Sequence, residues 1–389
     1  MSLFAAGLLL AQQTNDSAAA AARKALDLML AGQYAEMEAM FAPALQESLK
    51  LEALQKLGSQ VKSWGAPDEI GTPSVRQAAT THIVVIPVKF NSQNVNVQMG
   101  VNAAGLLSGF IMLPGGLAWQ HPSYSKPDSF QERAVTLGDD PFKLPGTLTV
   151  PKGGGPFPAV VLVHGNGPND RDETAGAVKM FRDLAEGLAS RGIVVLRYEK
   201  RTKVYFAKVT ATAYTADDET VDDALSALEV LREQPEVKKD RIYVLGHGLG
   251  GYLAPRIAEQ DGKVAGILAL AANERPLEDV MVDQATGLNL PAADLAGVKT
   301  QAAKAKKLEA GDEDQPKVLG FPVAYWVDLK GYDPVATAKK LGIPVLVLHG
   351  DRDPGILAKD FEAWQSGLAG QKGCVEKRYA SLNHDFVTG

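Results

Sequence analysis

Two hydrophobic rhythms divide this chain. Between residues 17 and 57 apolar positions recur at helical spacing: Ala alternates with Leu and Met over 17–30, and the pattern continues through 34–41 and 45–57. The period then drops to two. Segments 81–90, 95–101 and 106–112 alternate apolar and polar residues and predict consecutive antiparallel strands. Helices followed by a curling sheet predict a small α+β module, like that of nuclear transport factor or cystatin, over 14–118. A polar, proline-bearing linker follows at 119–128.

From residue 129 the pattern changes again. A hairpin is predicted at 131–137 and 142–150, and then short apolar runs alternate with amphipathic stretches. The runs 159–163, 193–197, 242–245, 264–270 and 344–349 predict buried strands, with helices at 175–190, 220–234 and 252–260 between them. Strand and helix in alternation imply a mostly parallel, doubly wound sheet, with ligands at the carboxyl ends of the strands. From about 273 to 341 the alternation loosens into an Ala/Lys/Glu-rich stretch, expected to be a cap inserted over the site. No internal repeat is evident.

Composition changes this picture little. The chain has 389 residues, enough for two domains, and its net charge of −6 argues against a nucleic-acid partner. Its single cysteine, Cys374, cannot form an internal disulfide and falls in a predicted last strand. No His-x-x-x-His pair or cysteine cluster calls for a metal, and nothing calls for a cofactor. The glycine run at 152–155 lacks the lysine of a phosphate loop. Leu3 to Ala11 is apolar and too short to span a bilayer. We expect residues 1–13 to be the remnant of a secretory signal, and the protein to be exported.

The chemistry is signalled at the end of the 242–245 strand. Gly246-His247-Gly248-Leu249-Gly250-Gly251 has the form of a G-x-S-x-G elbow, in which a strained strand-to-helix turn presents a nucleophilic serine. Here Gly248 stands in the serine's place. Downstream, Gly350-Asp351-Arg352-Asp353 follows an apolar strand, and Leu382-Asn383-His384 follows the last one. Upstream, His164-Gly165-Asn166-Gly167 follows the first parallel strand, where an oxyanion-binding loop belongs. Nucleophile position, acid, then histidine is the order such a triad requires on this kind of sheet.

With these stretches, and with the runs at 164–173 and 197–202, residues 129–389 resemble an α/β hydrolase of the esterase, dienelactone hydrolase and peptidase-like group. The resemblance implies a serine carboxylesterase acting on a small-molecule ester, with acyltransferase and peptidase chemistry as variants of the same site. It places the acid at Asp353 rather than Asp351, the base at His384, and the oxyanion donors at the backbone N–H groups of Asn166 and Leu249. Gly248 departs from it, so this form is expected to be inactive or very slow. An otherwise complete site favours an inactivated esterase over a natural non-catalytic ligand-binding protein.

Other expectations are less specific. Arg171, Tyr325 and Trp326 are candidates to line the substrate pocket. Asp170, Arg171, Asp172 and Glu173 either contact a polar substrate group or form ion pairs with Lys200 and Arg201. His247 and His349 read as packing residues, and so does His82 of the N-terminal module, which is assigned to homodimer formation or to covering the site.

Overall fold

The structure, a computed structural model, describes residues 2–78, 81–90, 93–115, 119–175, 178–287, 290 and 292–388. The chain divides into two compact units, Met1–Trp119 and Gln120–Gly389.

In the first unit a long helix, Ser2–Ala31, is followed by shorter helices and by Leu51–Ser63. Five antiparallel strands come next. Thr81–Phe90 is paired on one side with Asn94–Asn102, which pairs in turn with Leu107–Pro114. Its other edge is shared by two short strands, Pro67–Ile70 and Ser74–Ala78. These two have no clear alternation, and Pro67, Asp68 and Glu69 are residues that keep a sheet edge from further pairing. Ala22, Leu26 and Met29 of the long helix and Leu54 of the later one share a core with Val84, Ile86, Val97 and Met99 of the sheet. The apolar run from Leu3 to Ala11 falls within the long helix, and its side chains lie outside the described residues. Among the described residues, no helix is long and apolar enough to cross a membrane.

The second unit is built on an eight-stranded sheet. Across it the strands run Val375–Tyr379, Val345–Gly350, Gly266–Leu270, Val237–His247, Phe157–Val163, Val194–Tyr198, Leu144–Pro151 and Phe130–Leu137. The first six are parallel, and the hairpin at the far edge is antiparallel. Central strands covered on both faces must be apolar throughout, and Ala159 to Val163 are all buried. From Phe157–Val163 the chain moves outward to Val194–Tyr198, then crosses back to Val237–His247 on the opposite side. The crevice for a ligand opens at this reversal, between the loops that leave Phe157–Val163 and Val237–His247.

Most helices fall near their expected places, at Asp222–Glu233 and Leu249–Asp261. The helix expected at 175–190 is shorter, Met180–Ala189, because Thr174–Ala175 and Val178–Lys179 pair as a two-residue ribbon. β-Branched Thr174 and Val178 suit that extended form. The stretch expected to be a cap contains the helices Leu277–Gly287, Ala292–Ala305, Val323–Leu329 and Pro334–Leu341. Cys374 lies just before the last strand, half-buried, and burial raises its thiol pKa.

Candidate active site

The elbow is shaped by contacts that only glycine allows. A β-carbon on Gly246 would lie 2.1 Å from the carbonyl oxygen of Gly250, and one on Gly250 would lie 2.2 Å from that of Val163. The turn can therefore close against the neighbouring strand only without side chains at these positions. Gly248 itself has φ +50° and ψ −115°, a conformation that costs other residues about 1–3 kcal/mol. Leu249 opens the following helix, so its N–H is among the first-turn donors with no intrahelical acceptor.

The acid and histidine loops meet at this turn. His384 Nδ1 lies 2.6 Å from Asp353 Oδ2. The other carboxylate oxygen, Oδ1, accepts the backbone N–H groups of Gly355 and Ile356, at 2.9 Å each. Burial alone would raise the pKa of Asp353, but the bond to His384, the imidazole charge and the two backbone donors outweigh it and hold the carboxyl below its usual range. Asp351 points elsewhere, accepting from Arg378 Nε at 2.7 Å. On its far side the His384 ring faces the elbow: a β-carbon on Gly248 would lie 3.5 Å from His384 Nε2.

The loop from His164 to Gly167 is held by side chains. Gly165 donates its N–H to Glu173 Oε1 at 2.7 Å, and its carbonyl accepts Lys200 Nζ at 2.9 Å and Asn169 Nδ2 at 3.2 Å. Lys200 is buried beside Glu219, 3.4 Å away. Asn166, next in the loop, lines the same cavity as Gly248, Leu249 and His384. That cavity encloses about 270 Å³, and Leu277, Val280 and Gln284, on one face of the helix Leu277–Gly287, form part of its wall. Glu173, Asn273, Ile356 and Asp385 line it too, whereas among the described residues no lysine or arginine does. An apolar groove of about 480 Å³ lies elsewhere, along Val160, Tyr243, Ile267 and Val345, and among the described residues no acid or imidazole lines it.

Several sequence expectations are corrected here. Tyr325 and Trp326 do not line the cavity. Tyr325 is fully buried, stacks on Phe321 and donates its hydroxyl to Glu219 at 3.0 Å, while Trp326 Nε1 donates to the carbonyl of Val318. Two large rings in a short helix fill the interior of their own layer, where the hydrophobic effect drives them. Arg171 also turns away, its guanidinium bonded to Glu199 at 2.6 Å and to Thr147 at 2.8 Å.

The acids that follow the 164–167 loop, Asp170, Asp172 and Glu173, do not pair with Lys200 and Arg201. Asp172 pairs with Arg197 and Lys179, and Asp170 accepts the backbone N–H groups of Asp172 and Thr174. Arg201 is bound instead by Asp223. Glu173 reaches His247, so His247 is more than a packing residue: its Nδ1 lies 3.0 Å from Glu173 Oε2 and its Nε2 3.1 Å from the carbonyl oxygen of His384. The unusual backbone of Glu173, with φ +50°, cannot be read from its residue type.

A model of the alpha/beta hydrolase family matches residues 160–384, from the first parallel strand to the histidine loop. The chain belongs to the alpha/beta hydrolase family. It is 40% identical to esterase EstD of Thermotoga maritima over 305 residues, which are 78% of this chain and 71% of that protein. Among solved structures it is similar to an esterase of Pyrococcus furiosus, at 16% identity and a TM-score of 0.45, covering 69% of this chain and 91% of the other. It is likewise similar to Est1E from Butyrivibrio proteoclasticus, at 18% identity and a TM-score of 0.46, covering 65% and 90%.

Proposed function

We propose that this chain has the architecture of a serine-type carboxylic ester hydrolase, with glycine at the nucleophile position. The observation that carries the reading is the aim of His384. Its Nδ1 is anchored on Asp353, and its Nε2 faces the spot where a side chain at 248 would begin, 3.5 Å away. In such a site Asp353 fixes the imidazole tautomer and His384 takes the proton of the attacking hydroxyl, later delivering it to the leaving alcohol. The N–H groups of Asn166 and Leu249 would receive the negative charge that develops on the ester oxygen. EstD is an esterase at 40% identity, which supports ester hydrolysis as the parent reaction.

Gly248 has no hydroxyl, so no acyl-enzyme can form through this residue. What remains is binding, the oxyanion donors and a histidine able to deprotonate a water. Comparable sites stripped of their nucleophile retain ~10³-fold acceleration over water and lose about 10⁶ in turnover. Gly248 also supports a second reading, that of a non-catalytic protein which holds a small ligand in the cavity.

The cavity indicates the ligand class. It is small, half polar, without cationic side chains among the described residues, and contains Glu173 and Asp385, so it suits neutral esters of short acyl groups better than anionic ones. Export, on the strength of the Leu3 to Ala11 run, and dimerisation through the first unit complete the proposal.

The test is hydrolysis of p-nitrophenyl esters of increasing chain length by this chain and by Gly248→Ser. A serine variant orders of magnitude faster, its gain abolished by His384→Ala, supports the esterase. Inactivity of both, with tight binding of a small ligand, supports the second reading.

A further inference from the structure

Beside the proposed triad lies a second acid–histidine pair that ester hydrolysis leaves unused. His247 is buried and Glu173 half-buried, and the His247 ring lies 4.4 Å, centre to centre, from that of His384. Both ring nitrogens of His247 face acceptors, the carboxylate of Glu173 at 3.0 Å and the backbone carbonyl of His384 at 3.1 Å. A neutral imidazole has one N–H, so one contact would set a lone pair against an oxygen unless the missing proton sat on Glu173. Glu173 is poorly placed to hold that proton. Its other oxygen already accepts the Gly165 N–H at 2.7 Å, a bond that is strongest to an ionised carboxylate.

We infer that His247 is a buried imidazolium that acts as a positioning residue, tying the backbone of His384 to the elbow and, through Glu173, to the oxyanion loop. Three loops that leave different strands meet in this one pair. Gly165 is drawn in by Glu173, Gly248 follows His247 directly in the chain, and the carbonyl of His384 is held by Nε2. The left-handed backbone of Glu173 and that of Phe386, two residues after His384, fit loops constrained by these contacts.

The charged surroundings agree. Burial disfavours the cation, but the carboxylate of Glu173 and its hydrogen bond, the carbonyl of His384 and the charge of Asp385 outweigh it and raise the His247 pKa to about 8. Glu173 is brought down to about 2 against its own burial, chiefly by His247. His164, which also faces Glu173, is lowered to about 4 by burial, with Lys200 behind it, and supplies no competing charge at neutral pH. His384, with Asp353 on its far side, completes the set of ionisable groups around the ring.

The role in positioning the base rests on the esterase reading, but the protonation state does not. The first measurement is nitrogen-15 NMR of the unaltered chain, with His247 assigned among the six histidines by the signal lost in His247→Gln. Two protonated nitrogens at pH 7, titrating near pH 8, are expected. An unprotonated nitrogen at pH 7, whether Nδ1 or Nε2, marks a neutral ring and overturns the inference whatever the activity.

The second measurement is made in the Gly248→Ser background. There His247→Gln is expected to lower kcat at least tenfold with KM nearly unchanged, and to remove the fall in kcat above pH 8. If kcat and its alkaline fall survive that substitution, the positioning role is refuted. A Gly248→Ser chain that hydrolyses no ester refutes the esterase reading and the positioning role with it, while the spectra still decide the charge. Should His247→Gln fail to fold, the ring nitrogens of His247 are assigned instead by through-bond correlation to its own backbone, and the spectra of the unaltered chain decide.

Discussion

Gly248→Ser probes the proposed chemistry and the backbone geometry at once. The new β-carbon meets nothing closer than 3.5 Å, so its cost is conformational rather than steric. With φ at +50° that cost is about 1–3 kcal/mol, which in a unit of this size lowers Tm by roughly 2–6 °C. The rate moves the other way. From a β-carbon 3.5 Å from His384 Nε2, a hydroxyl one bond further can settle at hydrogen-bond distance, roughly 2.6–3.2 Å, without movement of the ring. Restoring a nucleophile whose loss costs about 10⁶ in turnover amounts to about 8 kcal/mol of transition-state stabilisation. The assay is release of p-nitrophenol from a short-chain ester under single-turnover and steady-state conditions, alongside a thermal melt. A lower Tm with a gain of several orders of magnitude, preceded by a stoichiometric burst, is expected. A serine variant that shows the expected loss in Tm but gains less than tenfold in rate would refute the reasoning.

Three further outcomes follow from the geometry. In the Gly248→Ser background, Asp353→Asn should cost about 10⁴ in kcat because the imidazole loses its tautomer, whereas Asp351→Asn should change kcat less than threefold; steady-state kinetics of the two variants separate them. Tyr325→Phe removes a buried donor from Glu219 and should destabilise the fold by about 1–3 kcal/mol in denaturant titrations, leaving KM for a short ester unaltered because the ring does not reach the cavity. Stability should also follow pH through His247. With its pKa raised from 6.5 to about 8 on folding, its contribution of about 2 kcal/mol is complete below pH 6.5 and fades as pH rises through 8, so melts from pH 6 to 9 should show the decline and His247→Gln should flatten it.

Much of the second unit was legible in the sequence because its determinants are local. Apolar runs such as Ala159 to Val163 can only be central strands, and the glycines around residue 248 imply a turn pressed against its neighbours. His384 could be singled out because it lies a few residues past the end of a strand, whereas Asp351 and Asp353 both follow the strand before it and only the family resemblance chooses Asp353. The cavity wall was not legible. Leu277, Val280 and Gln284 are ordinary helix residues, and only the long-range placement of their helix gives them a role. Aromatic residues drew attention to Tyr325 and Trp326 for the opposite reason, since large rings mark interiors as readily as binding sites. The Glu173–His247 pair spans 74 positions, and no periodicity reports a contact between two loops at that separation. In the first unit, Pro67–Ile70 and Ser74–Ala78 escaped notice because each edge strand is too short to show a rhythm.

The absence of a hydroxyl at residue 248 also simplifies what can be measured. Where chemistry is slow beside dissociation, the concentration that half-saturates the site equals the true dissociation constant. The glycine chain therefore reports the ground-state affinity of an intact ester for the cavity lined by Asn166 and Leu249. Paired with the KM of its serine counterpart, that affinity separates how tightly this fold grips an ester from how quickly it would cleave one.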